Sequence, residues 1–440
     1  MGKELAIRQT AIHLLRSGKT AAEVAQELKR SVAWVYKWRK RYFDASGDWQ
    51  ALEDQSRAPK HPPRNLPERI RQEIRTVRSR LEAEAAEPGK LVYIGAHAIR
   101  GHLRKKRITP LPSISSIERE LRAAGMVQPR KPQKPDQVVY PHVKPTKPHQ
   151  LVQVDIVPRY LPGGPCVACF NAIDVVSRYP TGQQYLNKRS EDAENFLLQV
   201  WNELGIADYT QVDNEGCFSG GFTHPGVLGK VLRLALMVGT ELVFSPIRHP
   251  ESNAYVERFH QDYTKNVWDK IDLPDLAAVH KHSPLFFDAY RQSLHHSALH
   301  SHSPQEMHSF GSIRSLPANF RPSAKLPLTV GKVHFIRLVS QDRQVMILNK
   351  IWDVPLAKPD QGVWATLQFT LQGAKLRIYD AAPDAQRRTC LAEHPFALKE
   401  PVYPLGQQFQ YPKYATKRSW ATYAAGKIRR TVSQWISTML

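Results

Sequence analysis

The sequence has almost no cysteine: four in 440 residues, at Cys166, Cys169, Cys217 and Cys390. That is too few for a disulfide framework in so long a chain, and it points to a reducing compartment. Long apolar runs are missing too. The best candidate, Val227 to Val238, is interrupted by Lys230 and Arg233, so nothing approaches the roughly 18 apolar residues of a membrane helix. Met1 to Gly18 alternates charged and apolar residues without a signal-peptide stretch, and Ala6 spoils a myristoylation pattern. A soluble, cytoplasmic protein with no membrane partner is expected. No repeat of fixed period is present.

Acids are also in short supply, 40 against 62 Lys and Arg, for a formal net charge of +22. The imbalance is concentrated: residues 1 to 150 hold 31 basic and 15 acidic residues, the remaining 290 hold 31 and 25. A strongly basic front on a nearly balanced back is the footprint of a nucleic-acid binder, since each neutralised phosphate releases counterions. Hydrophobic residues at 42% and nine tryptophans allow real cores. Because one core stops growing near roughly 250 residues, several domains are expected.

Residues 1–45 read as three helices. Thr20-Ala-Ala-Glu23 is a capping box opening the second, and Val24, Leu28, Val32, Val35 and Tyr36 continue an apolar stripe across a break at Lys29 to Ser31. This is helix-turn-helix spacing, and the last helix carries Lys37, Arg39, Lys40 and Arg41 for phosphates and base edges. Residues 46–66 read as linker. A second helical unit, 67–127, has Ile70, Ile74 and Val77 on one face and further helices at Ala96 to Lys106 and Ser115 to Ala124. Its basic cluster includes Arg104 and Lys105, and a second helix-turn-helix is expected. Residues 128–148, with six prolines and five Lys or Arg, read as a stiff cationic linker.

Beyond it the pattern changes to three strands (Leu151 to Val157, Val167 to Tyr179, Gly182 to Leu186). A helix from Ser190 follows, with Phe196, Leu197, Val200, Trp201 and Leu204 on one face. A strand to Val212, a helix over Val227 to Met237, a strand at Glu241 to Phe244 and a helix after Pro250 complete an α/β layer. Runs at Val333 to Val339, Gln344 to Asn349 and Val363 to Tyr379 alternate like the strands of a small barrel.

Three acids stand out. Asp155 lies inside an otherwise apolar strand, where an uncompensated carboxylate is costly. Asp213 ends another strand, and Glu257 lies on the helix after Pro250, beside the stripe of Val256, Phe259, Tyr263 and Val267. Facing one another, they are a donor set for two hard divalent ions. Taken singly, each has a plainer reading: a salt-bridged core acid, a turn residue, and half of an exposed pair with Arg258.

The runs Val152-Gln-Val-Asp155, Asp213-Asn214, and Ser245-Pro246 followed by Asn253-Ala-Tyr-Val-Glu257-Arg258 resemble the three signatures of DDE transposases of bacterial insertion sequences, which have a retroviral-integrase-type core. Ala172-Ile-Asp174-Val-Val-Ser-Arg178-Tyr179 is similar to that core's second strand. Leu52-Glu-Asp-Gln-Ser-Arg-Ala-Pro59 is similar to the linker after the family's first helix-turn-helix. The resemblance spans nearly the whole chain and implies a multidomain protein. Its parts would be all-α helix-turn-helix units, an α/β RNase H-like integrase core at 149–310, a small all-β SH3-like barrel at 325–400, and a basic tail at 401–440. It implies Asp155, Asp213 and Glu257 as catalytic metal ligands for Mg²⁺, with Mn²⁺ as substitute. The activity implied is DNA cleavage and strand transfer on double-stranded element ends and target DNA, by a homo-oligomer, associated with the nucleoid.

Two departures matter. The family has a glycine directly after Asp-Asn, where this chain has Glu215 and then Gly216, and 43 residues separate Asp213 from Glu257 where about 35 are usual. An insertion around Ser219 to Gly226 would absorb the difference. Asp174 reads as structural, paired with Arg178. Cys166 and Cys169 read as small residues of a hairpin strand, and His295, His296, His300 and His302 as surface or DNA-facing. The terminal segment Lys413 to Leu440, with Trp420, Trp435 and Ile436, reads equally as a clamping helix or a frayed tail. Two rival functions stay open: a DNA-binding regulator whose core only scaffolds, and a structure-selective nuclease that cuts without joining.

Overall fold

The computed structural model describes residues 3–54, 66–87, 90–127, 138–220, 225–247, 249–293, 296–299, 302–309 and 313–410. The expectations for the 55–65 and 128–137 linker stretches, His295, His300 and the tail from 411 lie outside the described residues. The chain divides into two compact units, Met1–Leu66 and Pro67–Leu440.

The first unit holds α1 (Lys3–Arg16), α2 (Ala21–Glu27) and α3 (Val32–Asp44), then a 3₁₀ turn at Trp49–Leu52. The capping box forms, with Thr20 and Glu23 exchanging side-chain and backbone bonds. Lys29 takes the left-handed conformation that makes the tight turn, and Ser31 caps α3. The expected stripe is corrected on α3. The buried residues are Val35, Trp38 and Tyr42, while Val32 and Tyr36 face outward. Positions 35, 38 and 42 follow one helical face, and Val32 with Tyr36 defines another. Arg8 also turns inward: its guanidinium lies 4.0 Å over the Trp38 ring, donates to Leu52 O at 2.8 Å and pairs with Asp54.

The second unit begins with α4 (Glu68–Ala86), α5 (Ala96–Lys105) and α6 (Ile114–Ala123). They close on Ile70, Ile74, Val77, Leu81, Ile99, Leu103, Ile117 and Leu121, all buried. Residues 138–148, read from the sequence as part of a stiff, extended linker, pack against the sheet. Val143 is buried with Val243, Ile336 and Trp364, and the Lys144 N–H reaches Asp384.

A nine-stranded sheet follows. Its first five strands are β1 (Leu151–Tyr160), β2 (Cys166–Asp174), β3 (Pro180–Tyr185), β4 (Tyr209–Val212) and β5 (Glu241–Phe244). The interleaved helices are α7 (Ser190–Glu203), α8 (Gly216–Ser219) and α9 (Lys230–Val238). Then come α10 (Ala254–Tyr263), prolonged by a π-helical turn to Trp268, α11 (Leu276–Gln292) and α12 (Pro304–His308). The final strands are β6 (Gly331–Leu338), the hairpin β7 (Gln344–Ile347) and β8 (Lys350–Asp353), β9 (Gly362–Thr370), β10 (Gly373–Tyr379) and β11 (Cys390–Phe396). The spatial order is β11-β10-β9-β6-β5-β4-β1-β2-β3, with β7-β8 a separate pair. β1 is antiparallel to β2 and parallel to β4, and β4 is parallel to β5.

The separate SH3-like barrel is therefore corrected: β6 joins β5 in parallel, pairing Leu242 with Val333 and Phe244 with Phe335, and β9 to β11 extend the same sheet. A four-residue β5 with an apolar inner side offers an open ladder, and Phe335 stacks on Phe244 with ring centroids 5.0 Å apart. The alternating pattern gave the strands but not which neighbour they would choose.

The sheet separates two cores. On one face α7 and α9 bury Phe196, Trp201, Leu232 and Leu236 against Val152, Val154 and Phe170. On the other, α10 and α11 bury Phe259, Tyr263, Phe286 and Tyr290 against Val167, Cys169 and Ile173. Cys166 and Cys169, three apart on β2, fall on opposite faces. α11 comes close to the sheet because position 182 is glycine: a Cβ there would meet Asn171 Oδ1 at 2.5 Å and Phe287 Cζ at 2.6 Å. Gly182→Ala is expected to cost about 1–3 kcal/mol by overpacking, read as a lower urea midpoint. An unchanged midpoint would mean that α11 shifts freely.

Candidate active site

Period-2 alternation on β1 puts Gln153 and Asp155 on the face covered by α10, while Val152, Val154 and Ile156 enter the other core. Asp213 leaves the end of β4, next to β1 in the sheet. Glu257 stands on the first turn of α10. The three acids meet in one cleft of about 480 Å³, also lined by Asn214, Glu215, Gly216, Ser245, Pro246, Ile247, His249 and Asn253.

Two glutamines, unremarked in the sequence, hold α10 in place. Gln153 and Gln211 are register partners on β1 and β4, and both donate to Ser252 O, at 3.0 and 2.8 Å. Gln153 Oε1 accepts the N–H groups of Tyr255 and Val256, two of the free donors at the start of α10. The tripeptide Gln-Val-Asp occurs at 153–155 and again at 211–213. That echo was the available signal: in each strand the glutamine anchors the helix and the aspartate, two residues on, faces the cleft.

Burial pushes the Asp155 carboxyl up to about 8, with the Asp213 and Glu257 charges adding to the effect. Burial likewise raises Asp213 to about 6, against the pull of the Glu215 N–H that it accepts at 3.0 Å. Glu257 is raised by burial. Behind Asp155 lies His260, one turn along α10 from Glu257. Its Nδ1 is 3.5 Å from Asp155 Oδ2, and burial holds its pKa down at about 3, so the ring is neutral. Neither ring nitrogen has a hydrogen-bond partner among the described residues. Ligand atoms of Asp155, Glu257 and His260 lie within 4.8 Å of one another.

Glu215 keeps φ at −56°, so the position after Asp-Asn needs no glycine. Its carboxylate is spoken for by Lys188 Nζ at 2.8 Å. The longer spacing to Glu257 has a place to go, because the backbones of Gly220 and Gly229 touch and close the base of the loop between α8 and α9. A Cβ on either would lie 2.8 Å from the other's Cα.

The other expected residues fall as follows. Asp174 is fully buried and accepts the N–H groups of His149, Val176 and Ser177. It does not pair with Arg178, whose guanidinium turns to Val175 O and lies 4.0 Å over the Tyr255 ring. Its ring of donors leaves no need for a cation. On α3, Lys37, Arg39 and Lys40 are exposed. Arg41 is directed back: it donates to Glu53 O at 2.9 Å and lies 5.0 Å over the Trp38 ring. The outward face is Ala33, Tyr36, Lys37 and Lys40. Arg104 and Lys105 are exposed at the end of α5. His296 is partly buried beside Tyr290, and His302 lies 3.6 Å from Glu306.

Residues 3–47 match the homeodomain-like domain family, a helix-turn-helix class that binds DNA. No curated protein matches the chain. Among solved structures, the chain is similar to the HTLV-2 integrase catalytic core domain in complex with magnesium, at 14% identity and a TM-score of 0.30, covering 38% of this chain and 99% of that one. It is similar to the simian T-cell lymphotropic virus intasome in complex with PP2A regulatory subunit B56γ, at 15% identity and a TM-score of 0.33, covering 70% and 94%. The catalytic core domain of BIV integrase matches at 16% identity and a TM-score of 0.27, covering 37% and 94%. These likenesses are remote. Among the described residues no helix is long and apolar enough to cross a membrane.

Proposed function

We propose that the chain is a transposase of the DDE type, which binds the ends of a mobile DNA element and catalyses divalent-metal-dependent cleavage and strand transfer. The observation that carries this reading is the meeting of Asp155, Asp213 and Glu257, from two neighbouring strands and a helix, in one open cleft. The donor set fits a hard cation: the three acids supply only oxygens, and their raised pKa values show negative charge that burial penalises and a cation would relieve. Mg²⁺ is assigned, with Mn²⁺ as substitute.

Asp155, Asp213 and Glu257 would hold the ions, and bound ions of this kind lower the pKa of a hydroxyl nucleophile and neutralise charge on the leaving oxygen. The protein's own contribution is to place the donors. Gln153 and Gln211 fix the start of α10 and with it Glu257. His260 fills the space behind Asp155 as a neutral ring. Lys188 balances Glu215 at the margin of the cleft. Water would attack a phosphodiester at the element end and a DNA 3′-hydroxyl would attack one in the target DNA, each displacing a 3′-oxygen in the same site, so that cleavage and joining are one chemistry with two nucleophiles.

The helix-turn-helix of residues 1–45 would recognise the element end, and the unit at 67–127 would anchor it through Arg104 and Lys105. The active form would be a homo-oligomer on DNA. The test is an incubation of the full chain with linear element-end DNA, with and without Mg²⁺. Cutting and joining support the reading, cutting alone points to a nuclease, and binding without either points to a regulator.

Within α3 the geometry separates reading from scaffolding. Lys40→Ala is expected to narrow the affinity gap between the element end and a scrambled duplex by about 1–3 kcal/mol, the worth of a base contact. Arg41→Ala should leave that gap intact and lower the stability of the first unit, because Arg41 is bound to Glu53 O and Trp38. Binding to both duplexes at one fixed salt decides. Equal loss on both for Lys40→Ala would reduce α3 to an electrostatic anchor.

A further inference from the structure

Arg337 lies on β6, outside the segment the sequence assigns to catalysis, and only 8% of it is exposed. Among the described residues no carboxylate pairs with it, and burial pulls its pKa down to about 10. A buried cation without a counter-charge is a costly way to fill a strand position, and an apolar residue of the same volume would hold the sheet at least as well. Its donors show what it does there. Nε donates to Met346 O at 3.1 Å, and Nη1 to Ile336 O at 2.8 Å and Ser245 O at 3.3 Å. Nη2 donates to Asn214 Oδ1 at 2.8 Å. Asn214 in turn donates to Ser245 O at 2.7 Å, and Ser245 donates twice to Val212 O, from its N–H at 3.0 Å and its hydroxyl at 3.1 Å.

These bonds form a closed set around the ends of β4 and β5. Asn214 follows Asp213 directly, and Asn214 and Ser245 both line the cleft. Asp213 leaves β4 with nothing but this turn to aim it, since α8 begins three residues later. Arg337 supplies the rigid fork that fixes the Asn214 amide, and its planar, multiply donating head suits a site built of carbonyl oxygens.

We propose that Arg337 is a positioning residue of the catalytic site: through Asn214 and Ser245 it sets the Asp213 carboxylate, so that the C-terminal strands are part of the catalytic unit. This rests on the reaction proposed above. The test uses the full chain with two readouts, Mn²⁺ affinity by calorimetry without DNA, and kcat against KM for cleavage of element-end DNA. Arg337→Lys keeps the charge and loses the fork. It is expected to weaken Mn²⁺ binding about tenfold and lower kcat by about 10- to 100-fold, with KM within about twofold of wild type. Asn214→Ala should do the same, and the double variant should be no worse than the poorer single one. Where Arg337→Lys does not fold, Asn214→Ala alone decides by the same two readouts. Wild-type Mn²⁺ affinity and kcat in Arg337→Lys or in Asn214→Ala, or losses that multiply in the double variant, would overturn the inference. A wild-type chain that binds Mn²⁺ but cuts no DNA would instead sink the proposed reaction and leave the positioning role to be read from the affinities.

Discussion

Asp155→Asn, Asp213→Asn and Glu257→Gln are each expected to lower cleavage and strand transfer by at least about 10³-fold, some 4 kcal/mol of transition-state stabilisation, with DNA affinity within a few-fold of wild type. The reason is spatial. The three carboxylates come from β1, the end of β4 and α10, and share one cleft, so that removing one donor disables what the other two hold. Pairing two substitutions should cost no more than the worse single one. The affinity side has a separate cause, since the basic face of α3 and the exposed end of α5 stand on other elements. Gel-shift and strand-transfer measurements on the same preparations check both halves. Joining by any of the three variants would remove that residue from the site.

The second large effect is on stability and has an opposite sign to the first. Asp155 titrates near 8 in the fold against about 3.8 in an unfolded chain. Its folded-state pKa is raised, so the carboxyl is carried without penalty below pH 4. It becomes a growing burden as pH rises, complete above pH 8. Metal-free Asp155→Asn should therefore match wild type near pH 4 and exceed it by up to about 6 kcal/mol at pH 9, the worth of the shift from 3.8 to about 8. Millimolar Mg²⁺ should raise wild type at pH 9 and leave the variant where it was. Urea unfolding across pH, with chelator or with Mg²⁺, measures this. A variant less stable than wild type in chelator at pH 9 would show that the Asp155 charge is already compensated inside the fold.

The residues that line the candidate cleft are partly legible in the sequence. Asp155 stood out as a charge in an apolar strand, and Glu257 lay beside a stripe whose Val256, Phe259 and Tyr263 are indeed buried. The helix from 190 buries each apolar residue assigned to its inner face, because a 3.6 period over fourteen residues leaves little choice. What the sequence hid were the polar residues bonded to distant backbone. Nothing local distinguishes Gln153 from a surface glutamine, or Arg337 from a basic residue that meets phosphate. Each is defined by carbonyls or N–H groups between 92 and 123 positions away or, for Arg337, also by a neighbouring strand. Arg41, read with Lys37, Arg39 and Lys40 as facing DNA, is likewise bound within the fold, over the Trp38 ring and to Glu53 O, a contact that its local sequence does not announce.

The parallel joint between β5 and β6 bears on how the protein can be handled. A fragment ending near 310, the boundary the integrase resemblance proposes, would strip β5 of its partner. The backbone of Leu242 to Phe244 would lie open along one edge, with Phe244 deprived of Phe335. Such an edge is a template for adding strands from other molecules, and nothing in Glu241-Leu-Val-Phe244 past its first residue blunts it. The excised core would be a sticky, self-associating species whose loss of activity says nothing about chemistry, whereas a cut after 410 keeps every described strand in register with its neighbour.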